Sequence, residues 1–225
     1  MAENQRTEEH SLDWREGVPV STLFDDPFYS LENGLAETRH VFLSGNDLPA
    51  RFAPGFRVAE LGFGTGLNLV AVHEAWVASG TPGPLTVTSF EAFPVSPAEA
   101  LRALAHFPEA EGLAPLIAKA LSGSGRIETP TLNFTLVVGD ARDTVPAWGG
   151  VADAWFLDGF SPAKNPELWE PGLMQAVFDH TAAGGSFATY SAAGAVRRAL
   201  GDAGFTVERR TGYGRKRHMS IGVKP

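Results

Sequence analysis

Five short β-rich runs, alternating with helical ones from Arg57 onward, constrain this chain more than any other feature. The runs are RVAELGF (57–63), LTVTSFEA (85–92), NFTLVVGD (133–140), DAWFLDGF (153–160) and GSFATYS (185–191). Each leads into a loop or a helix, the pattern of an α/β fold built on a parallel sheet. The spacing predicts a first helix over 67–79, closed by GTPGP. The second opens on SPAE, where Ser96 caps, Pro97 takes the first helical position and Glu99 reaches back, a capping box. A proline-containing helical stretch, GLAPLIAKAL, ends in SGSG, and further helices are expected near 167–180 and 194–203. The last segment, FTVERRTGYGRKRHMSIGV, breaks the alternation and reads as two strands joined by a glycine-containing turn, an antiparallel hairpin.

With 225 residues and 44% hydrophobic content, the chain suits one domain with its own core. The core is expected over 57–225. Residues 12–56, rich in aromatics and acids, form an extension over or beside the site, and 1–11 a disordered start. The absence of cysteine excludes disulfides and thiolate-bound zinc. His40 and His218 lack the spaced partners of a metal site, so no metal is expected. The polar start MAENQRTEEH is neither signal peptide nor anchor, and no run approaches the ~20 apolar residues of a membrane helix, so a soluble cytoplasmic protein is expected.

A net charge of -8 argues at first against a polyanionic partner. Its distribution argues otherwise. Residues 209–225 hold six of the 18 Lys and Arg and none of the 26 Asp and Glu. Such asymmetry fits a local anionic partner as well as it fits a charged, soluble edge hairpin.

The stretch AELGFGTGLN carries the ligand chemistry. Its glycines, Gly62, Gly64 and Gly66, follow the G-x-G-x-G spacing, and Leu67 stands where a dinucleotide fingerprint has its last glycine. There is no Gly-Lys-Ser/Thr of a phosphate loop. An E-x-G-x-G-x-G turn suits S-adenosyl-L-methionine, whose carboxylate can use backbone N–H groups at a helix start and whose ammonium needs an acceptor such as Glu60. Three more acids stand at successive strand ends. Glu91 can accept both ribose hydroxyls. Asp140 can receive the adenine amino group while the Ala141 N–H serves a ring nitrogen. Asp158 falls beside the reactive methyl. Each alone is an ordinary cap or turn residue; together they strengthen the reading. The expected fold is that of class I (Rossmann-like) methyltransferases, a seven-stranded, mostly parallel sheet with a C-terminal antiparallel hairpin and an N-terminal extension.

The runs VPVSTLFDDPFYS, NGLAETRHVFL, GNDLPARF, AELGFGTGLN, AWFLDGFSPAKNPELW and GYGRKRH resemble the tRNA 5-aminomethyl-2-thiouridine methyltransferases, in many bacteria the N-terminal half of bifunctional MnmC. The resemblance runs from Leu12 to Val223, and LDGFSPAKNPELW is its most specific part. It implies methyl transfer to the primary amine of 5-aminomethyl-2-thiouridine at the wobble position. The flavin-dependent oxidase half has no counterpart before Pro225, so a stand-alone enzyme is implied, its amine supplied by another source.

The residues allow the same chemistry to be placed. An alkyl ammonium is no nucleophile, so a carboxylate that orients the amine and takes its proton is needed, and Asp158 is the candidate. Phe160 is placed to stack on the base, Trp169 to pack the following helix, and Lys164 to reach a phosphate or simply solvent. Asp25 and Asp26 either draw in the cationic amine or only form a turn before Pro27. The basic hairpin 209–218, with Arg215, Lys216 and Arg217, would hold the anticodon arm by its phosphates while a flipped base enters. Two alternatives remain at this point: an amine N-methyltransferase acting on a small molecule or protein, and an inactive RNA-binding module.

Overall fold

The computed structural model describes residues 11–30 and 33–225. The expectation for residues 1–11 lies outside these, apart from Ser11, whose hydroxyl pairs with Thr22 at 2.8 Å. The extension opens as a small antiparallel sheet of β1 (Leu12–Arg15), β2 (Val18–Ser21) and β3 (Asp26–Pro27). It continues through α1 (Gly34–Thr38), whose first turn is capped by the Asn33 side chain accepting from the Ala36 N–H at 2.9 Å. A wider turn over Arg39–Leu43 then buries Val41, Phe42 and Leu43 against the main sheet.

The main body follows as β4 (Arg57–Leu61), α2 (Leu67–Ser79), β5 (Leu85–Glu91), α3 (Pro97–Leu104), α4 (Ala114–Leu121), β6 (Arg126–Glu128) and β7 (Leu132–Val138). It is completed by α5 (Ala141–Thr144), β8 (Ala152–Leu157), α6 (Pro171–Asp179), β9 (Thr181–Thr189), α7 (Gly194–Ala203), β10 (Thr206–Thr211) and β11 (His218–Val223). The sheet order is β10-β11-β9-β8-β4-β5-β7-β6. Pairs β4–β5, β4–β8, β5–β7 and β8–β9 are parallel; the hairpin and β6 are antiparallel. The expected strand count of seven is thus corrected to eight, because β6 is a three-residue edge strand too short to show a period.

Alternate residues feed opposite sides of the sheet, as a pleated strand requires. Along β8, Ala154 and Phe156 join the core beneath α2, α4 and the extension, while Trp155 and Leu157 join the core beneath α6 and α7. The capping box forms as expected: Ser96 Oγ accepts from the Glu99 N–H at 3.2 Å, and Glu99 Oε2 accepts from the Ser96 N–H at 2.8 Å. The helix expected from about 167 begins later. Pro166–Trp169 is a separate tight turn, and α6 starts at Pro171, which supplies the fixed φ of a first helical residue.

The chain runs outward from β4 through β5 to β7 and returns to β8 on the other side of β4. The order therefore reverses between β4 and β8, and the crevice beyond their carboxyl ends is where open α/β sheets take ligands.

Candidate active site

The glycine turn is shaped by what crowds it. Gly62 has φ +80, and a Cβ there would lie 2.7 Å from the Asp158 carbonyl oxygen. Only glycine lets the ends of β4 and β8 run this close. Gly64 has φ +55, and its Cβ would lie 3.1 Å from the Phe28 ring of the extension. Glu91, at the end of β5, pins the turn: its carboxylate accepts from the Gly64 N–H at 3.1 Å and the Phe93 N–H at 2.9 Å.

Behind the turn, Asn68 on the first turn of α2 joins two acids. Its Nδ2 donates to Glu60 Oε1 and Asp158 Oδ2, each at 2.8 Å, and its Oδ1 accepts from Thr38 Oγ1 at 2.9 Å. Ser89 Oγ donates to the other Glu60 oxygen. Glu60 is buried and does not face the crevice. Removal from water, opposed by the Ser89 and Asn68 bonds and reinforced by Asp158 and Glu91, pushes its carboxyl up to about 8. Asp158 is half-buried and faces the crevice. Burial, offset by hydrogen bonds from Asn68 and the Gly159 N–H and by the Lys216 charge, and reinforced by Glu37, leaves it raised to about 6. Two carboxyls sharing one amide donor are thus held partly protonated near neutral pH.

Glu60 carries a stability consequence. Its folded pKa of about 8 lies above its ordinary 4.5, so the folded state binds a proton that the unfolded chain releases, and stability falls as pH rises through that window. Glu60→Gln needs no proton. It is expected to raise Tm above wild type by a few degrees at pH about 9, and to match it at pH about 4, given ~2–4 °C per kcal/mol in a chain of this size. A thermal melt series across pH checks this; a lower Tm at both ends would contradict it.

The crevice encloses about 1230 Å³, more than the ~300–1,000 Å³ of a single small-ligand site. One wall is the glycine turn, another the loop following Asp158. The extension contributes Phe24, Asp26 and Phe28, and the hairpin turn contributes Tyr213, Arg215 and Lys216. The extension thus supplies part of the crevice wall. The crevice has room for S-adenosyl-L-methionine beside a second reactant, and the acids on its wall suit a sulfonium cation.

Other expected residues fall as follows. Asp140 and Ala141 line the crevice, but both Asp140 oxygens are engaged by Arg142, at 2.6 Å for its Nη2. Asp26 accepts from the Ser161 N–H at 2.9 Å and pairs with Lys164 at 3.4 Å. Lys164 is thus turned onto the extension, where it also donates to the Asp25 carbonyl, while its side chain stays 38% exposed. Asp25 does not line the crevice; its side chain is 74% exposed and pairs with Arg15 at 3.2 Å. Its φ of +46 identifies it as a turn residue, which corrects the expectation that it faces the amine. Phe160 stacks on Phe24, with centroids 4.6 Å apart, and meets Phe28 edge-on, so one ring face is already covered. Trp169 is buried and donates to the Phe160 carbonyl at 3.0 Å, fixing that loop. Arg217 lies off the crevice. His40 bonds the Thr211 carbonyl at 3.0 Å and so ties the hairpin to the extension. Among the described residues no three potential metal ligands cluster, and no helix is long and apolar enough to cross a membrane.

Sequence reasoning missed Asn68, Glu37 and Tyr190. Lys216 Nζ lies 2.9 Å from Glu37 Oε1 and 4.1 Å from the Tyr190 ring centroid, and the Tyr190 hydroxyl donates to the Gly159 carbonyl at 2.6 Å. Only Asn68, at the start of the glycine motif's helix, carried a local signal.

A reversing parallel sheet, a three-glycine turn at its switch point and acids at successive strand ends define a class I methyltransferase. The chain belongs to the S-adenosyl-L-methionine-dependent methyltransferase family whose sequence profile matches residues 107–225. It is 45% identical, over 95% of its length, to the "tRNA 5-methylaminomethyl-2-thiouridine biosynthesis bifunctional protein MnmC" of Caulobacter sp. strain K31, and 40% identical over 94% to that of Chromobacterium violaceum. It spans only 38% and 34% of those two proteins. The crystal structure of MnmC2 from Aquifex aeolicus superposes with a TM-score of 0.76 at 25% identity, covering 97% of this chain and 74% of that one.

Proposed function

We propose that this chain methylates the primary amine of 5-aminomethyl-2-thiouridine at the tRNA wobble position, giving 5-methylaminomethyl-2-thiouridine. The observation that carries the reading is Asp158, a half-buried carboxyl pushed up to about 6 on a crevice bounded by the glycine turn and by the basic turn of the hairpin. The names of the MnmC relatives support the same substrate. S-adenosyl-L-methionine supplies the methyl group as a sulfonium. The turn of Gly62, Gly64 and Gly66, with the start of α2, would hold its methionine carboxylate. The Asn68 Oδ1, on an amide whose nitrogen is held by Glu60, would accept from its ammonium end, Glu91 would accept from its ribose, and Asp140 with the Ala141 N–H would hold its adenine, Asp140 dividing its oxygens between Arg142 and the adenine amino group. Asp158 then orients the incoming amine and takes its proton. Phe160 offers its remaining surface to the uracil ring, and Asp26 adds negative charge to the mouth. This work on tRNA belongs in the cytoplasm.

The test is methyl transfer from labelled S-adenosyl-L-methionine to tRNA from cells lacking this activity, followed by nucleoside analysis. Label in 5-methylaminomethyl-2-thiouridine is expected; label in another nucleoside would overturn the reading.

Arg215, Lys216 and Arg217 are assigned to the phosphates of the anticodon arm. Replacing all three by Glu is expected to weaken tRNA binding and to lower the slope of log affinity against log salt by about 0.7 to 0.9 for each phosphate no longer neutralised. Cofactor affinity should not change. A binding series over several salt concentrations checks this, and an unchanged slope would leave the turn as a solubilising feature.

A further inference from the structure

Resting on that substrate reading, we propose that Glu37 and the Tyr190 ring form the subsite for the substrate's primary ammonium beside Asp158, and that Lys216 fills it here with its own ε-ammonium. A lysine head group and an aminomethyl arm present the same chemistry, a primary ammonium on a methylene. The Lys216 ammonium hydrogen-bonds Glu37 at 2.9 Å and lies 4.1 Å from the Tyr190 ring centroid. A carboxylate and an aromatic face are together what a protein uses to hold an alkyl ammonium out of bulk water.

The pair is not an ordinary surface ion pair. The Glu37 side chain is only 12% exposed, whereas that of Lys216 is 48% exposed: the lysine reaches from the hairpin turn into the crevice and sets its ammonium on a largely covered carboxylate. The cage is built into the catalytic wall at two points. Tyr190 is fixed by its hydroxyl on the carbonyl of Gly159, the residue after Asp158. Glu37 precedes Thr38, which bonds Asn68, which in turn bonds Asp158. An ammonium held by Glu37 and Tyr190 therefore shares the crevice with the carboxylate assigned to take its proton, and Asp158 feels the charges of both Lys216 and Glu37. Lys216, displaced, becomes available to a phosphate, so tRNA docking and entry of the amine exchange one anion for another on the same lysine.

Glu37→Gln keeps the shape and removes the charge. The experiment measures kcat and KM on tRNA bearing 5-aminomethyl-2-thiouridine, alongside binding of the same tRNA with plain 2-thiouridine at that position. Cofactor affinity serves as the check on folding. KM for the amine-bearing tRNA is expected to rise about tenfold to hundredfold, the worth of a charged hydrogen bond, with affinity for the amine-lacking tRNA and for cofactor unchanged. Glu37→Asp should recover part of the loss. Equal weakening toward both tRNAs overturns the subsite, as does wild-type KM in Glu37→Gln. If the wild type methylates neither tRNA, the substrate reading falls and the subsite with it; if the wild type is active and Glu37→Gln matches it, the subsite alone falls.

Discussion

Asp158→Asn is expected to lower kcat by about 10² to 10⁴ at neutral pH, the usual worth of a positioned base. The Asn68 amide and the Gly159 N–H bond different oxygens of Asp158; asparagine matches the side chain in size but keeps one oxygen, so it retains one of these two bonds and loses the other. The sign of the pH dependence follows from the raised pKa. Burial first, and then Glu37, favour the protonated carboxyl, so Asp158 accepts a proton only above about 6. The wild-type rate should rise with pH through that value. The variant should lack this limb and regain much of its loss at alkaline pH, where the free amine forms unaided. Single-turnover rates across pH, with cofactor affinity measured alongside, separate the roles. A variant that loses cofactor binding yet keeps its rate at saturation would make Asp158 a ligand of the cofactor's amino group.

Gly64→Val is expected to weaken S-adenosyl-L-methionine binding by about a hundredfold or more while the fold survives. Two effects add. A β-branched residue is strained at a φ of +55, and its Cβ would meet Phe28 at 3.1 Å, pushing the extension off the crevice. Strain of ~1–3 kcal/mol alone corresponds to about tenfold to hundredfold. Releasing strain would also free the Gly64 N–H from Glu91 and so unsettle the ribose site. Isothermal titration with a circular dichroism control measures this. Undiminished binding by a folded variant would remove the assignment of the turn to the cofactor.

Much of the fold is legible in local signals, because those signals are local in cause. Ser96, Pro97 and Glu99 determine a helix start among themselves, and buried parallel strands read as apolar runs whatever surrounds them. The strand ends expected for β4, β5, β7 and β8 fall one to three residues late, since the strand-like character of the sequence continues past the last ladder bond. β6 escapes notice because three residues show no period. The small sheet of β1 to β3 escapes because its strands are only two to four residues long and two of them contain a proline, so no period distinguishes strand from loop.

The site divides in the same way. The glycine turn and the acids at strand ends follow from position along a strand, so the sequence suffices to name them. Asn68, Glu37 and Tyr190 owe their places to partners far away in the chain: Lys216 reaches Glu37 from near the other end of the sequence, and Asn68 links Glu60 to Asp158 across two strands. The engagement of Asp140 by Arg142 was readable, being a pair two residues apart. The stacking of Phe24 on Phe160 was not, because nothing in either segment specifies the other.

The central claim is that a primary amine presented by tRNA is the acceptor. The most direct measurement uses two anticodon arms that differ only there: one with a free 5-aminomethyl-2-thiouridine at the wobble position, the other with that amine acetylated. Each is incubated with enzyme and labelled S-adenosyl-L-methionine, and the wobble nucleoside is isolated. The account predicts one methyl group on the free amine and none on the acetylated arm. Equal labelling of both arms, or label elsewhere in the free one, would contradict it.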